Sequence, residues 1–153
     1  MGEPMKTAIV IYESQFGNTE KIALALARGL RDQGIKVDFC RVDAVKLDKL
    51  PAYDLLLIGG PTQGRSISKP MGEFLDALKD VAVQDKMGFA FDTRVAHRFA
   101  GSAGKIIENR LKKLRMHIIK SYTSAIVKGT EGPLEEGMEE LFQQIAGELA
   151  TFI

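Results

Sequence analysis

Two apolar patterns alternate along this chain, and that alternation restricts its fold more than any other feature. Within Thr7–Tyr12 and Leu55–Ile58 the apolar residues run without a break. Short continuous runs predict strands buried on both faces, as in a parallel sheet. From Asn18 the period changes: Ala23, Leu26, Ala27 and Leu30 recur at helical spacing, and Gly34 stands where that helix should end. Ile35, Val37 and Phe39 alternate with Lys36, Asp38 and Cys40, which suits an edge strand. Asp43–Tyr53 is weakly patterned and predicts at most a brief helix. Ser68 and Pro70 mark a helix start, followed by the stripe Met71, Phe74, Leu75 and Leu78. Met87–Phe91 predicts another strand. Ser102 is placed to cap a helix whose inner face is Ala103, Ile107, Leu111 and Leu114. Ile118–Val127 reads as a strand interrupted by Lys120-Ser121. Met138, Leu141, Phe142, Ile145, Leu149 and Phe152 form a terminal helical stripe. Strands alternating with helices predict an α/β fold: a doubly wound, five-stranded parallel sheet in a three-layer sandwich. The 153 residues suit one such domain over 1–153.

Composition removes several function classes. With 21 basic and 20 acidic side chains the net charge is +1, far from the basic excess of a nucleic-acid or membrane surface. Cys40 is the sole cysteine, so neither an internal disulfide nor a cysteine zinc site is expected, and a reducing compartment fits. His97 and His117 stand apart, without metal-ligand spacing. No apolar run approaches the roughly 20 residues that span a bilayer, and the first six residues lack the apolar core of an export signal. These features predict a cytoplasmic protein. The GxGxxG fingerprint and the P-loop are absent.

The turn Tyr12-Glu13-Ser14-Gln15-Phe16-Gly17-Asn18-Thr19 has the chemistry of an anion site. Ser14 and Thr19 supply hydroxyls, Asn18 an amide, and Gly17 a close backbone approach. The helix start behind them adds unpaired N–H groups and a positive dipole end. No Lys or Arg lies between Glu13 and Glu20, so a phosphate here is expected to rest on neutral donors and the dipole. A capped turn that binds nothing is the plainer reading.

The segment Val10-Ile11-Tyr12-x-Ser14-x-x-Gly17-x-Thr19-x-x-x-Ala23-x-x-Leu26 satisfies the flavodoxin pattern at each defined position, in a strand–loop–helix context. The chain resembles the flavodoxin family over nearly its whole length, with the element order of the short-chain form. Ser-x-aromatic-Gly-Asn-Thr-Glu is closer to the flavodoxin domains of flavodiiron proteins. The resemblance implies FMN as cofactor, its phosphate wrapped by Ser14, Gln15, Phe16, Gly17, Asn18 and Thr19. Phe16 stands where many flavodoxins carry Thr, which removes one hydroxyl. The same resemblance puts Pro61, Thr62, Gln63, Gly64 and Arg65 beside the isoalloxazine ring. Its Gln63–Gly64 peptide is then the one that reorients on flavin reduction, and Gly64 permits the rotation. A turn that merely closes a strand is the alternative for this segment. Asp92, Thr93 and Arg94 fall loosely at the pyrimidine edge. The loop running on to Gly101 has no Trp or Tyr, so His97 or Phe99 is the candidate to stack on the ring. The other readings are an open ring face, with Phe99 in the core and His97 in solvent.

Charge is unevenly spread. Arg94–Lys120 carries eight basic residues and one acid, Glu108, whereas Glu131–Glu148 carries six acids and no Lys or Arg. Flavodoxins typically surround the ring with acids, which lowers the potential of the anionic reduced flavin. Arg65, Arg94 and Arg98 imply a higher second-electron potential here, and most of the other charges are expected to decorate a solvated helix face. The resemblance implies an electron carrier that works with a reductase and an acceptor protein, as a monomer or weak homo-oligomer. An FMN-dependent oxidoreductase acting on a quinone or similar acceptor is the alternative, and a cofactor-less interaction module a third.

Overall fold

The computed structural model describes residues 5–153. The expectation that the N-terminus lacks an export core falls mainly on residues 1–4, outside the described residues. The apolar runs become strands β1 (Thr7–Tyr12), β2 (Lys36–Arg41), β3 (Leu55–Pro61) and β4 (Met87–Val95), with β5 (His117–Ile118) and β6 (Thr123–Val127) near the end of the chain. The helical stripes become α1 (Asn18–Asp32), α2 (Lys69–Ala77), α3 (Ala103–Lys113) and α4 (Met138–Ala150). Ser68 and Ser102 cap as expected: their hydroxyls accept from the N–H of Met71 at 3.3 Å and of Lys105 at 3.2 Å.

All pairings are parallel, in the order β2-β1-β3-β4-β5, with β6 also on β4. The expected fifth strand is present in two pieces. β5 lies beside Met87–Gly88 and β6 beside Phe91–Val95. The chain leaves the ladder between them, and the Tyr122 N–H donates instead to the buried carboxylate of Glu108, at 2.8 Å.

Strand alternation divides the core between two helical layers. Ala8, Val10, Tyr12, Leu55, Leu57, Phe89 and Phe91 meet α1 and α4 on one face. Ile9, Ile11, Leu56, Ile58 and Ala90 meet α2 and α3 on the other. Gly29 sets the α1–α4 approach: a Cβ there would lie 2.6 Å from Ala146 Cβ and 2.8 Å from the Gln143 carbonyl oxygen.

Three local expectations change. β3 continues through Gly59-Gly60-Pro61, and β4 through Asp92–Val95, both of which read as loop in the sequence. Asp92-Thr93-Arg94 is polar, yet Asp92 and Thr93 pair with both β3 and β6 and Arg94 pairs with β6, so pairing overrides the side-chain pattern. Phe152 lies beyond the end of α4 and is 56% exposed rather than part of the buried stripe.

Candidate functional site

β1 pairs with β2 on one side and β3 on the other, and the chain order reverses there. In open α/β sheets the crevice beyond the carboxyl ends of such strands is where ligands bind. The β1–α1 turn, the segment after β3, the end of β4 and the segment after β6 all emerge at this edge.

The β1–α1 turn is closed on itself. The Ser14 hydroxyl accepts from Gly17 N–H at 3.1 Å and from Glu20 N–H at 3.4 Å. Gly17 has φ of 91°, a left-handed conformation that glycine adopts without a Cβ penalty. Among the described residues, the backbone N–H groups of Ser14, Gln15, Phe16, Asn18 and Thr19 find no acceptor in the protein. Ser14, Asn18 and Thr19 are nevertheless buried. Gln15 and Phe16 are exposed; free N–H groups at a helix start, buried or not, have the chemistry to receive an anion.

Other contacts hold this turn against the neighbouring loops. The hydroxyls of Thr19 and Thr93 lie 2.9 Å apart. The Gln63 amide donates to the Gln15 side-chain oxygen at 2.8 Å. The Asn18 amide donates to the Glu131 carbonyl at 3.1 Å, which uses one of its two hydrogens. Arg41, at the end of β2, donates to the Ser14 carbonyl at 3.0 Å. Tyr12 lies beneath, its hydroxyl donating to the Glu20 carboxylate at 2.7 Å. Burial, with Glu20 adding to it, pushes the Tyr12 phenol up to about 12.

After β3 the chain makes a tight turn in which Gln63 and Ser66 exchange backbone hydrogen bonds of 2.8 and 2.9 Å. Gly64 and Arg65 both have positive φ, 53° and 68°, as a type I′ turn requires. The turn packs against Gly101, where a Cβ would come within 2.6 Å of the Arg65 carbonyl oxygen. Beneath it lies a cavity of about 190 Å³. Of the residues that the resemblance assigns to the ring site, Pro61, Thr62, Gly64, Arg65, Thr93 and Arg94 line it, together with Val95, Ala100, Val127 and Thr130. Arg94 is fixed by donating to Ser124 Oγ at 3.2 Å and to the Gly101 carbonyl at 3.4 Å. The volume is below the range of about 300–1,000 Å³ usual for a whole small-molecule site. The cavity has room for part of a small-molecule ligand and lies beside the β1–α1 turn, to which Thr93 links it through Thr19.

Asp92 is fully buried below this floor. One of its oxygens accepts from Thr62 Oγ1 at 3.0 Å, Ser102 Oγ at 2.6 Å and Gly104 N–H at 2.9 Å. It thereby joins β3, β4 and the positive end of α3. Its other oxygen, like one of Glu13, finds no partner among the described residues. His97 and Phe99 are exposed at the rim and do not line the cavity. Their rings are tilted at 5.8 Å from one another, and the Arg98 guanidinium lies 4.5 Å from the Phe99 ring centre. Phe16 is 47% exposed on the β1–α1 turn. Among the described residues no group of His, Cys, Asp and Glu is arranged to hold a metal, and no helix is long and apolar enough to cross a membrane.

Val127 ends β6 and Thr130 follows it, so both reach the same sheet edge as Thr93, while Val95 and Ala100 reach it from the end of β4. Arg41 is less legible, since only the register Tyr12↔Arg41 brings it to the turn.

The family model described as Flavodoxin matches residues 10–145. The nitric oxide reductase of Moorella thermoacetica is 28% identical to this chain, over 97% of the chain and 38% of that protein. A flavodoxin of Clostridium saccharobutylicum is 27% identical over 78% of the chain and 74% of that protein. The structure of an archaeal flavodoxin superposes with a TM-score of 0.82 at 24% identity, over 95% of this chain and 97% of that one. The chain spans only 24–38% of the length of the first three curated relatives it matches.

Proposed function

The chain belongs to the flavodoxin family, and on that premise we propose that it binds one FMN at the carboxyl edge of its sheet and carries electrons between protein partners. The observation that carries this reading is the run of free backbone N–H groups on Ser14, Gln15, Phe16, Asn18 and Thr19. A phosphate dianion supplies the acceptors these donors lack, beside the dipole of α1. Gly17 shapes the turn, and the Asn18 side chain holds it to the segment after β6.

Bound flavin supplies the redox chemistry, and the protein supplies its orientation and electrostatics. The Thr19–Thr93 and Gln15–Gln63 contacts fix the phosphate cradle relative to the cavity. Pro61, Thr62, Gln63, Gly64 and Arg65 form one wall of the ring site, and Thr93 and Arg94 its inner edge. Asp92 acts from below as a positioning residue, holding Thr62 and the α3 terminus. His97 and Phe99 stand at the rim, where an incoming partner meets the site.

A flavodoxin of which this chain covers 74% is among its relatives, and that supports a carrier over an enzyme. The protein is expected to purify yellow and to release FMN on denaturation. It should oxidise NAD(P)H with a quinone only when a separate reductase is added. Colourless protein that takes up no FMN would contradict the flavin reading; turnover by the isolated protein would contradict the carrier.

A further inference from the structure

The geometry points to Arg41 as the residue that turns the Ser14–Gln15 peptide toward an anion, and so makes the site prefer phosphorylated over unphosphorylated flavin. This rests on the FMN reading above. Register places Arg41 beside Tyr12 at the carboxyl end of the sheet. Its Nη2 donates to the Ser14 carbonyl at 3.0 Å, and its guanidinium carbon lies 5.6 Å from the centre of the Tyr12 ring. Asp43 lies 3.9 Å from its Nε. The planar fork is thus anchored to carbonyl, ring and carboxylate together, a geometry that an ammonium group does not reproduce.

The peptide bond gives this contact its consequence. In a planar trans peptide the carbonyl oxygen of Ser14 and the N–H of Gln15 point in opposite directions. Holding the oxygen on Arg41 therefore commits the Gln15 N–H to the other side. That N–H has no acceptor among the described residues. Were the peptide free to turn, the carbonyl would present the wrong end of its dipole to a phosphate. Hydrogen bonds to a charged donor are the stronger kind, so this one resists such a turn. The segment from Ser14 to Thr19 carries no cation of its own, and Arg41 brings a guanidinium to it from another strand, its charge shared with Asp43. A second chain of contacts closes on the same residues. Tyr12, under the guanidinium, holds Glu20, whose N–H donates to the Ser14 hydroxyl.

The test compares FMN and riboflavin binding to the apoprotein by quenching of flavin fluorescence, for wild type, Arg41→Ala and Arg41→Gln, with melting curves for all three. Arg41→Ala is expected to weaken FMN about tenfold, equivalent to about 1.4 kcal/mol, while riboflavin binding stays at the wild-type value. Arg41→Gln keeps a planar donor but loses the charge. It should shift the FMN-to-riboflavin ratio in the same direction, and it carries the test alone if Arg41→Ala does not fold. An unchanged ratio in the folded variants overturns the inference. So does a proportional loss of both flavins, which marks Arg41 as merely structural. A wild-type protein that binds no FMN overturns the underlying reading instead, and the role of Arg41 falls with it.

Discussion

Asp92 shows how a single residue changes meaning once its surroundings are known. From the sequence it stands at the edge of a flavin; in the fold it is wholly buried and accepts from Thr62, Ser102 and Gly104. Removing one partner of a buried hydrogen-bonded set leaves donors unsatisfied at about 1–3 kcal/mol each. Asp92→Ala is therefore expected to cost about 3 kcal/mol or more in urea denaturation, and to loosen the cavity as well as the fold. The arginines separate in the same way. Arg65 and Arg94 line the cavity, whereas Arg98 lies over Phe99 at the rim. A cation about 4 Å from a flavin anion is worth about 1 kcal/mol in water, or about 40 mV for one electron. Arg65→Ala and Arg94→Ala should each lower the second-electron potential by tens of mV on this scale, and Arg98→Ala by less. A redox titration in which Arg98→Ala gives the largest shift would reverse that order. The two serine caps were legible because capping is a local contact. Arg41 was not, because its partner lies 27 positions away and is a backbone carbonyl.

At the scale of elements, the helical and apolar periods located every strand and helix that positions the site. What they missed was where β3 and β4 end. Gly59-Gly60-Pro61 and Asp92–Val95 carry no strand pattern, but Gly60-Pro61 pair with Asp92-Thr93, and Asp92–Val95 pair with Ser124–Val127. Extending β4 to Val95 is what brings Thr93 to Thr19 and Arg94 to the cavity. Close packing of helices makes a separate prediction. Gly29→Ala would press a Cβ onto Ala146 and the Gln143 carbonyl. Overpacking of this kind costs about 1–3 kcal/mol, so the variant should unfold at lower denaturant with its m-value unchanged. An equal or higher midpoint would show that α1 and α4 separate without penalty.

For the whole molecule, the near-zero net charge combines segregated stretches with a few local ion pairs. Within the basic stretch Arg110 meets Asp76 at 2.6 Å, Lys112 meets Glu108 at 3.3 Å and Lys120 meets Glu148 at 3.0 Å, while Arg65 and Arg94 line the cavity. Stability at high pH follows from two phenols. Burial first, then Glu20 for Tyr12 and Asp38 for Tyr53, pushes both from an ordinary 10.0 up to about 12. The folded state thus holds protons that the unfolded chain releases sooner. Their stabilisation is complete below about pH 10 and is lost as the pH rises toward 12. Urea midpoints should fall across that window, and Tyr12→Phe should flatten the fall. A midpoint independent of pH from 9.5 to about 12 would argue against both.

The β1–α1 turn is the proposed phosphate cradle, and amide chemical shifts report on it directly. Titrating the apoprotein with FMN and, separately, riboflavin should move the amide resonances of Ser14, Gln15, Phe16, Asn18 and Thr19 strongly with FMN and little with riboflavin. Tight FMN binding that leaves these five amides in place would contradict the account, as would no binding at all.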